Sequence, residues 1–420
     1  MTSPSTAGAG LVLEDLEITA MAHGGEGIGR SADGRVVFVA GTVPGDTVTA
    51  QVTKSKKRWA RAELMEVTAA SDMRVDPACP AAAMGAGCCD YSHIAPAAQL
   101  GLKLDVLRGQ LTSLARNSAA LEGFDLDTSL SAHQLEPVRG WRTRVRLGVD
   151  AAGRAGLRQA RSNEVVHEVT CTQAAPGLLA GLVGEGARTF TPGAEVVAVL
   201  DSTGTRHVVE TTRAQRGRRV ERIDTVIDGS GTVTEQVGEY TFSFPSTAFW
   251  QAHVAAPERY AAIVAEWGAG SYARKVGWDL YGGVGVFAPY IARAIGGGRV
   301  ESVDYSPAAS ASTAELDGVD MVKHNRKVEA GFADLEQPGL VVLDPPRSGA
   351  GAEVIGAVVN AAPERIIHVG CDPATFARDL GLWGEGGYKV ARMELIDAFP
   401  GTHHFETIAL LEPAVTAAAQ

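Results

Sequence analysis

The stretch KVGWDLYGGVGVFA, residues 275–288, decides the fold. An apolar run ends on Asp279, a glycine turn Gly283-x-Gly285-x-x-Ala288 follows, and a helical pattern continues from Val286. Strand, tight turn and helix in that order form the opening unit of a doubly wound sheet. Further apolar runs follow at RVESVDY (299–305), LVVLDPP (340–346) and RIIHVGC (365–371). Helical patterns separate them, expected from Pro307, from Ala350 to Asn360 and from Phe376 to Leu382. KVARMELI (389–396) and HFETIALLEP (404–413) close the series as two more strands. Strands apolar throughout are buried on both faces, so the spacing predicts an α/β domain over 241–420 with a mostly parallel, doubly wound sheet.

Outward from this domain, residues 11–67 read as short strands broken by glycine, with a Pro-Gly turn at Pro44 and Gly45. Strands at that spacing predict an OB-like β-barrel over 1–69. Between barrel and sheet, 70–240 is expected to be a β-rich central region carrying cysteines and arginines. The chain has 420 residues, 45% of them apolar and 21% charged, which suits a folded protein of several domains. The net charge of −11 disfavours a polyanion partner until its distribution is considered. Residues 51–62 hold Lys54, Lys56, Lys57, Arg58 and Arg61 without an acid, and 139–161 hold seven arginines against Asp150. A third block joins Arg213, Arg216, Arg218, Arg219 and Arg222. Positive charge gathered in three blocks predicts a local groove for a polyanion. No apolar run approaches the roughly eighteen residues of a membrane span, so a soluble, cytoplasmic protein without a membrane partner is expected, as a monomer. Five cysteines, an odd number, argue for thiol chemistry or metal ligation over a disulfide framework.

In open α/β sheets ligands bind at the carboxyl ends of the strands. Here those ends carry Asp279, Asp304, Asp344 and Cys371. The glycine turn by itself fits a nicotinamide dinucleotide, another nucleoside ligand, or no ligand. Asp304, about twenty residues beyond the turn, is placed to hold a ribose. Asp279 and the closing pair of strands favour S-adenosylmethionine over a dinucleotide. Asp344-Pro345-Pro346 puts a carboxylate and a rigid turn at the lip of the same site. Amino-group methyltransferases follow such a motif with an aromatic residue, whereas this chain has Arg347, which points to another mode of acceptor activation. Cys371 offers a thiolate nucleophile, and Glu406 is an acid within an otherwise apolar strand, a costly position without a task. Carbon 5 of uracil needs such a pair: a thiolate adds at carbon 6, carbon 5 then takes up a methyl group, and a base removes the carbon-5 proton. The base has to leave its stack to reach the thiol, so a splayed single-stranded loop is the expected substrate.

Taken together, these motifs resemble the RNA uracil-C5 methyltransferases that begin with a TRAM domain. GGEGIGRSADGRVVFVAGTVPGDTV (24–48) resembles the TRAM domain itself. FWQAH (249–253), DLYGGVGVFA (279–288), DPPRSG (344–349), GCDPATFARDL (370–380) and DAFPGTHHFETIALLEP (397–413) are similar to the remaining signatures, in order. The resemblance implies that Gln251, Tyr281, Gly283, Gly285, Asp304 and Asp344 serve S-adenosylmethionine, with Cys371 as nucleophile and Glu406 as base. The RNA would be ribosomal or transfer RNA. An RNA-binding protein that keeps the fold but has lost turnover is the alternative, because Gly370 and Asp372 stand where the family has Ser and Asn. His253 replaces the Asn of the family's Gln motif. Many members hold an iron–sulfur cluster on Cys-x5-Cys-x2-Cys and a distant cysteine. Cys79, Cys88, Cys89 and Cys171 match in number but not in spacing, so a [4Fe–4S] cluster, a zinc ion and free thiols all stay open.

Overall fold

The computed structural model describes residues 10–216, 219–306, 313–316, 318–332 and 334–414. Strands β1 (Val12–Met21), β2 (Glu26–Arg30), β3 (Val36–Ala40), β4 (Thr47–Ser55) and β5 (Trp59–Ala69) close into a barrel in the order β1-β2-β3-β5-β4. Its interior follows from period-two alternation: in β4, Val48, Ala50 and Val52 point inward, while Gln51, Thr53 and Lys54 face water. Lys54 lies 5.8 Å from the centre of the Trp59 ring, and Lys56, Lys57 and Arg58 are exposed on the same edge.

The next strand, β6 (Leu130–Gln134), leaves the central region. It pairs in parallel with a strand near the C-terminus and forms an edge of the C-terminal sheet. The 19-residue helix Pro96–Leu114 contributes Leu102, Val106, Leu107 and Leu111 to the same core. The C-terminal sheet therefore recruits residues from within 70–240, which a boundary at 241 does not capture. The central sheet itself has six strands: β7 (Arg144–Val149), β8 (Ala155–Arg158), β9 (Val165–Val166), β10 (Glu195–Leu200), β11 (Arg206–Arg216) and β12 (Arg219–Asp228). β9 is only two residues long, and beyond it the chain turns to bring Cys171 toward Cys79. β11 and β12 form a long ribbon bearing Arg213, Arg219 and Arg222, while Arg218 of that block lies outside the described residues.

β13 (Thr232–Val237) and β14 (Tyr240–Pro245) lead into the nucleotide-type sheet. They belong to a separate small sheet, while the nucleotide-type sheet joins β6 to β15 (Val276–Leu280), β16 (Arg299–Asp304), β18 (Met321–Asn325), β19 (Leu340–Leu343), β20 (Arg365–Gly370), β21 (Tyr388–Asp397) and β22 (Glu406–Pro413). The helix expected from Pro307 starts on residues outside those described. Thr313–Glu315 form strand β17, paired with β14, and 307–312 lie outside the described residues. The eight-stranded order is β18-β16-β15-β19-β20-β22-β21-β6. β22 runs antiparallel to both its neighbours.

All of β15 and all of β19 are buried, as continuous apolar runs require of a sheet covered on both faces. Val341 and Leu343 enter one core with the helices Pro96–Leu114, Gly351–Ala361 and Pro373–Glu385. Leu340 and Val342 enter the opposite core with Ala256–Gly268 and Ala288–Ala294. Alternate residues of one short strand thus hold the two layers of helices apart, leaving the strand ends free at one edge. Among the described residues, no helix is long and apolar enough to cross a membrane.

Candidate functional site

The carboxyl ends of β15, β16, β19 and β20 open into one cavity of about 1030 Å³. Gln251, Tyr281, Gly283, Asp304 and Asp344 line it, together with Cys371 and Glu406. Gly285, also expected there, does not line it. With φ at +92° and a Cβ that would stand 3.1 Å from Met321 Sδ, Gly285 instead lets the turn pack against β18.

Two further residues of the turn adopt the left-handed backbone conformation. Gly283 has φ of +57° and open space where a Cβ would be, and its N–H donates to Asp304 Oδ2 at 3.2 Å. Tyr281 adopts φ of +61°, a left-handed conformation rare for a tyrosine, and its hydroxyl donates to Glu329 Oε1 at 3.2 Å. Burial raises Asp304, and it pushes Asp279 up to about 7 although Ser302 donates a hydrogen bond to it. Asp279 Oδ1 is buried and has no hydrogen-bond partner among the described residues. Asp279 lies behind the turn and is not among the residues that line the cavity.

Strand register brings the thiol and the second acid together. Gly370 of β20 lies opposite Thr407 of β22 in an antiparallel pair, so the next position outward sets Cys371 beside Glu406. Asp344 follows β19, whose Leu343 is level with His368 of β20. Burial, then Glu406 and Asp344, push the Cys371 thiol up to about 12, with Arg347 pulling it down. Burial raises Asp344 to about 7. Glu406 is 5% exposed, with Oε2 buried and unpartnered among the described residues. Burial and the charge of Asp344 hold it well above the ordinary carboxylate range, against Arg347.

The departures at Gly370 and Asp372 have local causes. A Cβ at residue 370 would stand 2.6 Å from Phe376 Cδ2, so the ring packs where a serine side chain would go. Asp372 caps the helix Pro373–Glu385, its Oδ1 accepting from Ala374 N and Thr375 N at 3.1 and 2.9 Å. Its Oδ2 faces His23 Nε2 of the barrel. His253 is fully buried, stacked on Trp141 with ring centres 5.4 Å apart, and its Nδ1 accepts from Ala255 N. Burial depresses it to about 4, so it is a neutral packing residue beside the cavity.

One member of the site, Asp90, left no mark in the sequence. Asp90 lines the cavity, accepts from His403 N at 3.0 Å and pairs with the His403 ring. Next to it, Arg142 lies over Trp141 at 4.6 Å. It also borders a second cavity, lined by Arg146, Arg158 and Arg161, that shares Gly87 and Cys88 with the first. Glu195 and Glu26 lie against these arginines. The four cysteines converge as well. Cys79 and Cys89 bring their sulfurs to 3.7 and 3.3 Å from that of Cys171, and all four sulfurs lie within 4.8 Å of one another. The adjacency of Cys88 and Cys89 therefore does not prevent both from facing one centre.

Known RNA methyltransferases resemble this chain over most of its length. The TRAM domain pattern matches residues 14–65, and the tRNA (uracil-5-)-methyltransferase pattern matches 323–414. An uncharacterized RNA methyltransferase of Corynebacterium glutamicum is 50% identical over 400 residues, covering 94% of this chain and 95% of its own length. One from Streptomyces avermitilis is 36% identical over 430 residues, covering 95% and 98%. Among solved structures, the Pyrococcus abyssi tRNA (uracil-54, C5)-methyltransferase, in complex with S-adenosyl-L-homocysteine, superposes with a TM-score of 0.68. It is 20% identical, over 94% of this chain and 99% of that one, and so speaks to the shared fold.

Proposed function

The chain belongs to the TRAM-domain RNA uracil-C5 methyltransferases, enzymes that use S-adenosylmethionine, and from that we propose that it methylates carbon 5 of a uridine through a transient bond between Cys371 and carbon 6. The observation that carries this reading is the β20–β22 register, which sets a thiol and an unpartnered buried acid side by side at the mouth of a nucleotide-type turn.

When bound, S-adenosylmethionine supplies an electrophilic methyl group. Asp304 and Gly283 are suited to its ribose, with Gln251, Tyr281 and Asp344 placing the rest of the donor. Cys371, as thiolate, forms a bond to carbon 6 of the uracil, and the displaced π electrons reach the carbonyl oxygen as an enolate. Carbon 5 would then bond to the methyl carbon of the bound donor as the enolate carbonyl re-forms, the carbon–sulfur bond breaking with its electron pair left on the sulfur of S-adenosylhomocysteine. Glu406 takes the carbon-5 proton, the ring double bond re-forms, and the Cys371–carbon 6 bond breaks to release the thiolate. The environment that raises Glu406 makes it a stronger base once ionised. Burial, Glu406 and Asp344 raise the Cys371 thiol, so the thiolate has to form before it can attack.

The RNA is a ribosomal or transfer RNA presenting a splayed loop, held by the barrel edge and the central arginines. Phosphate contacts of this kind set position and leave sequence to the cavity. The test is the 5-methyluridine content of the ribosomal and transfer RNA pools from cells with and without the gene. Loss of the modification at one site is expected. Unchanged content in both pools would refute the proposal.

A further inference from the structure

We propose that Cys79, Cys88, Cys89 and Cys171 hold a single tetrahedral thiophilic ion of the zinc class, not an iron–sulfur cluster, and that this ion braces the wall of the reaction cavity. The four sulfurs come from two segments and lie within 4.8 Å of one another, with pairs at 3.3 and 3.7 Å. A zinc ion binds thiolates at about 2.3 Å, which in a tetrahedron sets them about 3.8 Å apart. A [4Fe–4S] cluster interposes four irons and four sulfides, so its thiolates stand farther apart than those around one ion. Cys88 and Cys89 are adjacent in the chain and share this compact centre, leaving no room among the sulfurs for a cubane. The residues thus fit one ion and do not fit the cluster common in the family.

The surroundings suit a closed structural site. Cys79, Cys89 and Cys171 are buried among apolar side chains that include Ala81, Leu157 and Leu179. Four thiolates around a divalent cation carry a net charge of −2, and the guanidinium of Arg142 interacts with Cys171, Cys88 and Cys89 as the counter-charge. The ion would join the loop bearing Cys79, Cys88 and Cys89 to the turn bearing Cys171. That loop continues directly into Asp90, which holds His403, three residues before Glu406. Cys88 and Gly87 also form wall of both the reaction cavity and the arginine-lined one. The ion would set this wall without electron transfer, since zinc has no accessible redox chemistry.

The metal is read on the protein itself, so this inference stands or falls separately from the role given to Cys371. The full chain is purified without oxygen from cells supplied with both iron and zinc, then assayed for metals and acid-labile sulfide. About one zinc per chain and no sulfide are expected. X-ray absorption should show four sulfur neighbours at about 2.3 Å, and exchange with cobalt(II) should give the visible bands of a tetrahedral thiolate site. Cys88→Ser should lower zinc to below about a tenth of an ion per chain. If that variant does not fold, the sulfur shell of the unaltered chain decides. Iron with matching sulfide, or a metal-free chain with free thiols, would overturn the proposal.

Discussion

His23 Nε2 stands 2.8 Å from Asp372 Oδ2, joining a turn of the N-terminal barrel to the residue that follows Cys371, across 349 positions of chain. Nearby, a Cβ on Gly25 of the same turn would meet Asp90 Oδ2 and His403 Cβ at 3.1 Å, so the barrel sits directly against the reaction cavity. Burial pushes Asp372 up, but the Thr375 N–H and His23 outweigh it and keep its carboxyl below the ordinary range. Its negative charge is thereby engaged in the cap and the barrel contact. The high pKa of the thiol traces to burial, Glu406 and Asp344.

Asp372→Ala removes the helix cap and the barrel contact together. It should cost about 1 kcal/mol or more in denaturant unfolding, whereas Asp372→Asn retains an accepting oxygen and should cost a few tenths. Equal losses for the two variants would mean that the charge facing His23, and not the cap, carries the stability.

Cys371→Ala should abolish methyl transfer while leaving S-adenosylmethionine binding, measured by calorimetry, unchanged. Residual turnover in that variant would remove the nucleophile from the scheme.

Glu406→Gln should accumulate a covalent RNA–protein adduct, seen as a retarded band on a denaturing gel, because the carbon-5 proton has no acceptor. Full activity without any adduct would assign proton removal to another group.

Gly370→Ser would restore the family's residue yet is expected to destabilise the protein by about 1–3 kcal/mol, since the new side chain overlaps the Phe376 ring. A neutral or stabilising effect on thermal unfolding would show that Phe376 moves aside freely.

The raised Asp279 predicts a pH dependence of stability. Its folded value, about 7, exceeds the unfolded value of 3.8, so the folded state holds the proton more tightly. Its contribution is fully present below about pH 4 and is lost as pH rises to about 7, at up to about 1.4 kcal/mol per pH unit. Asp279→Asn lacks this loss, so the stability difference between variant and parent should grow through that window and level off above it. A difference that does not vary with pH would count against the assignment.

Much of the architecture was readable before any coordinates. Residues 340–346 or 365–371 are apolar for a whole strand because both faces are covered, and a glycine turn after a strand leaves few alternatives. The pairing of Cys371 with Glu406 was legible for a chemical reason: a thiol and an acid at the ends of apolar strands need a task to offset their burial. Period and spacing operate over a few residues to a few tens, and these features lie within that range.

The remaining features join positions that local pattern cannot connect. β6 reaches the edge of a sheet whose other strands begin more than a hundred residues later, and nothing in Leu130–Gln134 names β21 as its neighbour. Asp90 meets His403, His23 meets Asp372, and Cys171 meets Cys79 only because the barrel, the central sheet and the C-terminal sheet pack around one opening. Composition and periodicity thus specified the layers and the reactive groups. Their placement around the cavity arose from packing between distant segments, where burial and hydrogen bonding are settled together.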